Sequence, residues 1–407
     1  MKILLSAFAF APNVGSEPGV GWRWAAELAR YHEVTVVTDV TRRALVEAVG
    51  VQLPPNVRVV YFRPSWLRTV PLNSITASLL YTAWQFGLLR SVRRLHRETP
   101  FDLAIHCTYS VFRHPSFLGY LGIPFIFGPV GGGEDAPLVL KRSIHGREKL
   151  KELLRSLVNK TALFDPFLWL AYSRATLILV STEQTRHALP WAFRKRAIVY
   201  PNLGVETIPE AKPNVRLEGE PFRILFAGRL LGWKGVHLAI RALAEAVRCG
   251  VSVELTVLGR GPYEFALRKL ADSLGVEESI RWLGHRPQSE LFALYRSMHG
   301  FIFPSLHDSG GTVVLEALAF GLPVICLDIG GPATLVSSDS AIVVSTQNQN
   351  EEGVVRGLSD AVCFLAYDEK ARMAMSHAAL EHARGAMSWE SRAYGVFELM
   401  DLMKHGD

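Results

Sequence analysis

The stretch Phe303-Pro-Ser-Leu-His-Asp-Ser-Gly-Gly-Thr-Val-Val-Leu-Glu-Ala-Leu-Ala-Phe-Gly-Leu-Pro-Val324 sets Asp308 eight residues ahead of a second acid, Glu316, with Gly310, Gly311 and Thr312 between them. The spacing predicts a short apolar strand from Gly300, a glycine loop, and a helix that starts near Thr312 and stops at Gly321, where Pro323 forbids its continuation. Two glycines let a ligand approach the backbone, and the free N–H groups of the first helical turn suit a phosphate. One turn further in, the Glu316 carboxylate can accept hydrogen bonds from sugar hydroxyls. The same residues suit an ordinary buried βα unit whose Asp caps a helix, so the rest of the chain has to separate the two readings.

Three further loops carry chemistry-bearing residues. Phe226-Ala-Gly-Arg229-Leu-Leu-Gly-Trp-Lys234-Gly235 sets an Arg fork and a Lys point charge five residues apart at a predicted strand end. That pair can neutralise a pyrophosphate whose charge grows as a bond to it breaks. Val257-Leu-Gly-Arg-Gly-Pro262, with Gly259 and Gly261, is a tight turn able to border a nucleotide base. Pro12-Asn-Val-Gly-Ser-Glu-Pro-Gly-Val-Gly21, with Gly19 and Gly21, joins the first strand to a helix near Trp22. It lacks a clean GxGxxG, which disfavours a nicotinamide or flavin site.

Elements able to position these loops are legible as alternating apolar runs and helical periods. Strands are expected at Lys2–Phe10, Val34–Asp39, Val57–Phe62, Leu103–Cys107, Pro124–Phe127, Leu177–Val180 and Ala197–Tyr200. A second series follows at Phe222–Ala227, Val253–Leu258, Ile280–Leu283, Gly300–Phe303, Pro323–Leu327 and Ala341–Val344, and Glu351–Lys404 reads as helix throughout. This is the grammar of an α/β protein with two doubly wound, Rossmann-like domains, expected to face a shared cleft. The domains are predicted at 1–205 and 222–387, with a proline-bearing linker at 206–221 and a final helix at 388–407.

Composition fits this architecture. The 407 residues exceed one core, and 49% hydrophobic with 20% charged residues excludes disorder. Cys107, Cys249, Cys326 and Cys363 share no CxxC or zinc spacing and read as reduced, buried thiols of a cytoplasmic protein. Met1–Ala11 has the outline of a short signal peptide, but the βαβ spacing that follows favours a buried strand. The uncharged run between Arg68 and Arg90 is too rich in Pro, Asn, Ser and Thr for a membrane span. Residues 1–205 hold 25 Lys and Arg against 13 Asp and Glu, whereas the remainder holds 19 against 25. The basic clusters at Arg90–Arg97 and Lys141–Arg155 suit an anionic membrane surface or substrate, or simply a solvated helix face. No nucleic-acid module is present.

In the order AGRLLGWKG, VLGRGP, FPSLHDSGGTVVLEALAFGLPVI and Met387-Ser-Trp-Glu390, the chain resembles glycosyltransferase family 4, retaining enzymes of the two-domain GT-B fold. Looser similarity covers the first half through Ala175–Ser181 and Tyr200–Gly204, so the resemblance spans nearly the whole chain. It implies that the first domain takes the acceptor, the second the donor, and that the final helix crosses back over the first. Arg229 and Lys234 match the diphosphate-binding pair, Glu316 the acid that holds the donor ribose, and Asp308 the acid that contacts the donor sugar, usually Glu. Gly311 and Thr312 would supply amides to the phosphate. Many relatives carry a His over the reacting sugar where Pro124–Glu134 offers Val130 or a glycine, and the role passes to either His106 or Glu134. A strand His near a sheet end is also a common structural residue.

The resemblance implies transfer of a sugar from a nucleotide-diphosphate sugar to an acceptor hydroxyl, without metal or other cofactor because the cations take the metal's place. A saccharide or lipid-linked saccharide acceptor, in bacterial polysaccharide or glycolipid assembly on the inner face of the plasma membrane, follows from the basic first half. A sugar-nucleotide epimerase shares the fold, but its acid/base groups are not evident. A catalytically silent homologue that binds a partner transferase or a membrane is the alternative raised by Asp308 and the missing His.

Overall fold

The computed structural model describes residues 1–12, 17–48, 53–72, 76–141, 144, 146–206 and 211–405. The chain divides into two compact units. In the first, β1 (Lys2–Ser6), β2 (Glu33–Asp39), β3 (Val57–Phe62), β4 (Leu103–His106), β5 (Phe125–Val130), β6 (Leu177–Val180) and β7 (Ala197–Val199) form a parallel sheet in the order 3-2-1-4-5-6-7. Strand alternation sends its apolar side chains to both faces. Leu4, Phe125, Phe127 and Ile178 enter one buried cluster, and Ile3, Leu5, Ile126, Leu177 and Leu179 the other. The helix Trp389–His405 covers the second face, where Ala393, Val396 and Met400 join that cluster.

The second unit carries β8 (Phe222–Ala227), β9 (Val253–Leu258), β10 (Ile280–Gly284), β11 (Gly300–Phe303), β12 (Val324–Leu327) and β13 (Ala341–Val344), all parallel, in the order 10-9-8-11-12-13. In both sheets the strand order reverses once, between β1 and β4 and between β8 and β11. Ligands of open α/β sheets bind outside the carboxyl ends of the strands at such a reversal.

The sequence placed all of 1–205 in one domain, and the structure corrects this. Glu134–Leu157 groups with the second unit, while Val158–Leu203 returns to the first. The reason is packing onto the loops that follow β8 and β11: Ile144 lies so close to Gly232 that a Cβ there would meet its Cγ2 at 2.9 Å. The remaining division falls at Leu203/Gly204 and Ser388/Trp389. Of the expected linker, residues 207–210 lie outside the described residues, as do residues 13–16 of the first glycine loop. The thiol expectation also needs correcting: Cys249, just past the helix Val236–Arg248, is exposed, and Cys363 is half-buried. No described helix is long and apolar enough to cross a membrane.

Candidate active site

The residues singled out in the second half are brought together at its strand reversal. Arg229 and Lys234 follow β8, and Asp308 to Thr312 follow β11, its neighbour in the sheet. After Ala227 the chain turns through Gly228 into a short 3-10 turn, Gly232–Lys234, and Gly235 opens the helix Val236–Arg248. This path leaves Arg229 exposed, with no carboxylate partner among the described residues. Lys234 is held. Its ammonium is ion-paired with the Asp308 carboxylate, 4.4 Å from the Trp233 ring centroid and 4.9 Å from that of Phe303. Cation–π contact and the ion pair together fix the charge in place without deep burial.

The helix after Asp308 runs Thr312–Ala319, and Gly321, at a φ of 74°, accounts for its predicted stop. At its start Gly311 has a φ of 154° and no side chain caps the helix, so the positive end of the dipole is left without a side-chain acceptor, although the Val314 amide already bonds the Gly311 carbonyl at 2.8 Å. Thr312 is exposed at that end, beside half-buried Gly310 and Gly311. Glu316 sits one turn in, half-buried, and accepts a 3.1 Å hydrogen bond from the Tyr295 hydroxyl. Burial first, and then the neighbouring Glu316 charge, push the Tyr295 hydroxyl well above its ordinary pKa, so it remains a donor to that carboxylate.

Gly259 and Gly261, expected to border a base, answer to their own backbone: a Cβ at Gly259 would lie 1.9 Å from the Gly228 carbonyl oxygen, and one at Gly261 2.2 Å from that of Leu230. They are glycines because the loops after β8 and β9 touch. Glu134 belongs to this unit, fully buried, and its carboxylate accepts a 2.5 Å hydrogen bond from Ser309 Oγ.

Sequence reasoning missed three residues here. His307 Nε2 is 2.8 Å from Glu152, and its ring stacks on Trp233 with centroids 4.2 Å apart. Their signal was present, since Trp233 lies inside one motif and His307 inside the other, but only folding shows that they meet. Glu152, more than 150 positions earlier, had none.

In the first unit His106 ends β4 and is completely buried, its Nε2 3.5 Å from the Tyr81 hydroxyl and its ring against Phe127. Burial, with the nearby His114 adding, pushes its pKa down to about 3. It is a neutral core residue, which corrects its candidacy as a group over the reacting sugar. Gly19 and Gly21 lie within the helix Glu17–Leu28, and a Cβ at Gly21 would meet the Ala9 carbonyl oxygen at 2.6 Å, so Gly21 serves helix–strand packing.

Residues 207–381 match the sequence pattern of the family described as glycosyl transferases group 1. The similarity to this family is confined to that segment. The segment holds Arg229, Lys234, Gly259, Asp308 and Glu316 alike. Among curated relatives, the D-inositol 3-phosphate glycosyltransferase of Corynebacterium glutamicum is 33% identical over 177 residues, 42% of this chain and 41% of the relative. The chain thus spans about two-fifths of the length of the curated relatives it matches. Of solved structures, the sucrose-phosphate synthase of Thermosynechococcus elongatus covers 100% of both chains with a TM-score of 0.64 at 16% identity. The Anabaena HepE structure in complex with UDP covers 98% of this chain and 100% of its own, with a TM-score of 0.63 at 18% identity. The fold of the chain is therefore the GT-B fold, and the segment similar to group 1 glycosyl transferases lies within it.

Proposed function

We propose that the protein is a retaining glycosyltransferase that moves a sugar from a nucleotide-diphosphate sugar to an acceptor hydroxyl. The observation that carries this reading is the convergence of Arg229, Lys234 and the start of the Thr312–Ala319 helix at the reversal between β8 and β11. In transfer, the bond from the anomeric carbon to the diphosphate oxygen breaks and negative charge grows on the leaving group. Two side-chain cations and a helix N-terminus are the groups that stabilise such charge, and they stabilise it most as the bond breaks. Lys234 would exchange part of its pairing with Asp308 for the diphosphate, leaving Asp308 to the donor sugar. HepE is solved with UDP, with UDP and glucose, and with UDP-glucose, which makes a UDP-sugar the first donor to try. Proton NMR of the product tests the reaction: an anomer of the donor's own configuration is expected, and an inverted anomer would overturn the retaining assignment.

The acceptor proposed is a lipid-linked saccharide met at a membrane surface. On the helix Gly146–Thr161, Leu150, Leu153, Leu154 and Leu157 recur at helical spacing and are all exposed, whereas Glu152 and Asn159 are buried. A helix with its apolar stripe outward and exposed Lys149, Lys151 and Lys160 beside it suits an anionic bilayer. Co-sedimentation with phosphatidylglycerol vesicles is expected to exceed that with phosphatidylcholine, to weaken with salt, and to be lost in a Leu150→Glu/Leu154→Glu variant. Equal sedimentation with both lipids would remove the membrane from the proposal.

A further inference from the structure

The two residues that flank Asp308 are each held by a carboxylate from the same inserted segment. Glu152 bonds His307 at 2.8 Å on one side, and Glu134 accepts from Ser309 at 2.5 Å on the other. Arg155 ties the two together, donating to the Glu134 carbonyl oxygen while its Nε lies 3.5 Å from Glu152. From His307 the contacts continue inward. Its ring lies nearly parallel to Trp233, at 28°, and Trp233 is the ring over which the Lys234 ammonium rests. The Trp233 carbonyl also accepts from the Leu306 amide at 2.8 Å, so the loops after β8 and β11 meet through backbone as well as rings.

We propose that Glu152 is a positioning residue for Lys234: by fixing the His307 ring it fixes both the Trp233 face beneath the ammonium and the neighbouring Asp308 that pairs with it. Two of the three groups that surround the ammonium are thus set from a segment outside the matched group 1 pattern. The charge state suits the task. Burial raises the Glu152 pKa, but the His307 hydrogen bond and charge, followed by Arg155 and Lys141, outweigh it and hold the carboxyl below its ordinary value. Glu152 remains a charged acceptor although its side chain is 7% exposed. A misplacement of about 1 Å at a charge that must meet a breaking bond can cost ~100-fold in rate, so a distant acceptor can matter to turnover without touching substrate.

This inference rests on the glycosyltransferase reading for its consequence but not for its test. Competitive acetic anhydride labelling of the ligand-free full chain, read by mass spectrometry at Lys234 against exposed Lys212, reports directly on how firmly the ammonium is held. Glu152→Ala is expected to raise the relative labelling of Lys234 at least about three-fold, the scale of a weakened ion pair. Glu152→Gln, which keeps an acceptor for His307, is expected to restore slow labelling. Unchanged Lys234 labelling in Glu152→Ala would overturn the proposal. So would equal increases at every lysine with a lowered melting temperature, because that marks general destabilisation. In UDP release from UDP-glucose, Glu152→Ala is expected to lower kcat by about 10- to 100-fold with KM much less affected. If the wild type itself releases no UDP from this donor, the functional reading is what suffers, and the labelling result stands alone.

Discussion

His106 and His307 both lie at or just past the carboxyl end of a strand beside a reversal in strand order, yet the two units use them in opposite ways. His106 ends β4 inside the sheet's own packing, between Tyr81 and Phe127, where a charge has no partner and the imidazole stays neutral. His307 lies four residues beyond β11, where the chain has left the sheet, and an acid from a distant segment and an aromatic ring from the next loop close on it. Position in the fold makes both look functional. What separates them is whether a charged group from another element has been brought to the ring.

The contrast yields predictions that differ in size. Lys234→Ala should have the largest effect, a fall in turnover of ~10²- to 10³-fold with nucleotide affinity reduced far less, as for loss of a group that acts on leaving-group charge. Steady-state kinetics beside calorimetric nucleotide binding checks it, and equal losses in both would break the assignment. Glu316→Ala should act on the other quantity. Loss of a charge-assisted acceptor worth roughly 1.5–3 kcal/mol weakens nucleoside-diphosphate binding by about ten-fold or more, and leaves the Tyr295 hydroxyl without the acceptor it meets at 3.1 Å.

His106→Leu should leave turnover within about two-fold and change stability by less than ~1.5 kcal/mol, because an apolar side chain of similar volume replaces a buried ring. The Tyr81 hydroxyl keeps its 2.9 Å hydrogen bond from Gln85. A turnover loss beyond ten-fold would return His106 to the active site. The same variant also sharpens the pH dependence. The His106 pKa falls from 6.5 unfolded to about 3 folded, so between those values the unfolded chain binds more protons and stability falls as the solution is acidified. His114 and His299, depressed to about 4 and about 3 chiefly by burial, act in the same direction. Melting temperatures at pH 6 and pH 4.5 should therefore converge slightly in His106→Leu relative to wild type.

Periodicity and loop chemistry made the fold legible. Runs such as Leu177–Val180 and Val253–Leu258 are strands as expected, because continuous apolar segments bounded by turns are what a doubly covered parallel sheet requires. The first strand proved shorter, Lys2–Ser6, since residues 7–11 stay buried but leave the ladder. Local motifs likewise located Arg229, Lys234, Asp308 and Glu316. What the sequence could not convey was assembly over long separations: that Glu134 and Glu152 close on residues 309 and 307, or that Gly259 faces the Gly228 carbonyl. Tertiary packing decides those contacts, and no spacing rule encodes it.

The loops after β8 and β11 are proposed to bind a sugar nucleotide through Arg229, Lys234 and a helix N-terminus. The most direct test is calorimetric and thermal-shift titration of the full chain with UDP-, GDP-, ADP-, CMP- and dTDP-sugars in EDTA. Binding by at least one, stabilising the fold by ~2.7 kcal/mol at a hundred times its Kd and weakened in an Arg229→Ala/Lys234→Ala variant, is the predicted result. Absence of a shift with every nucleotide sugar, or binding indifferent to both substitutions, would contradict it.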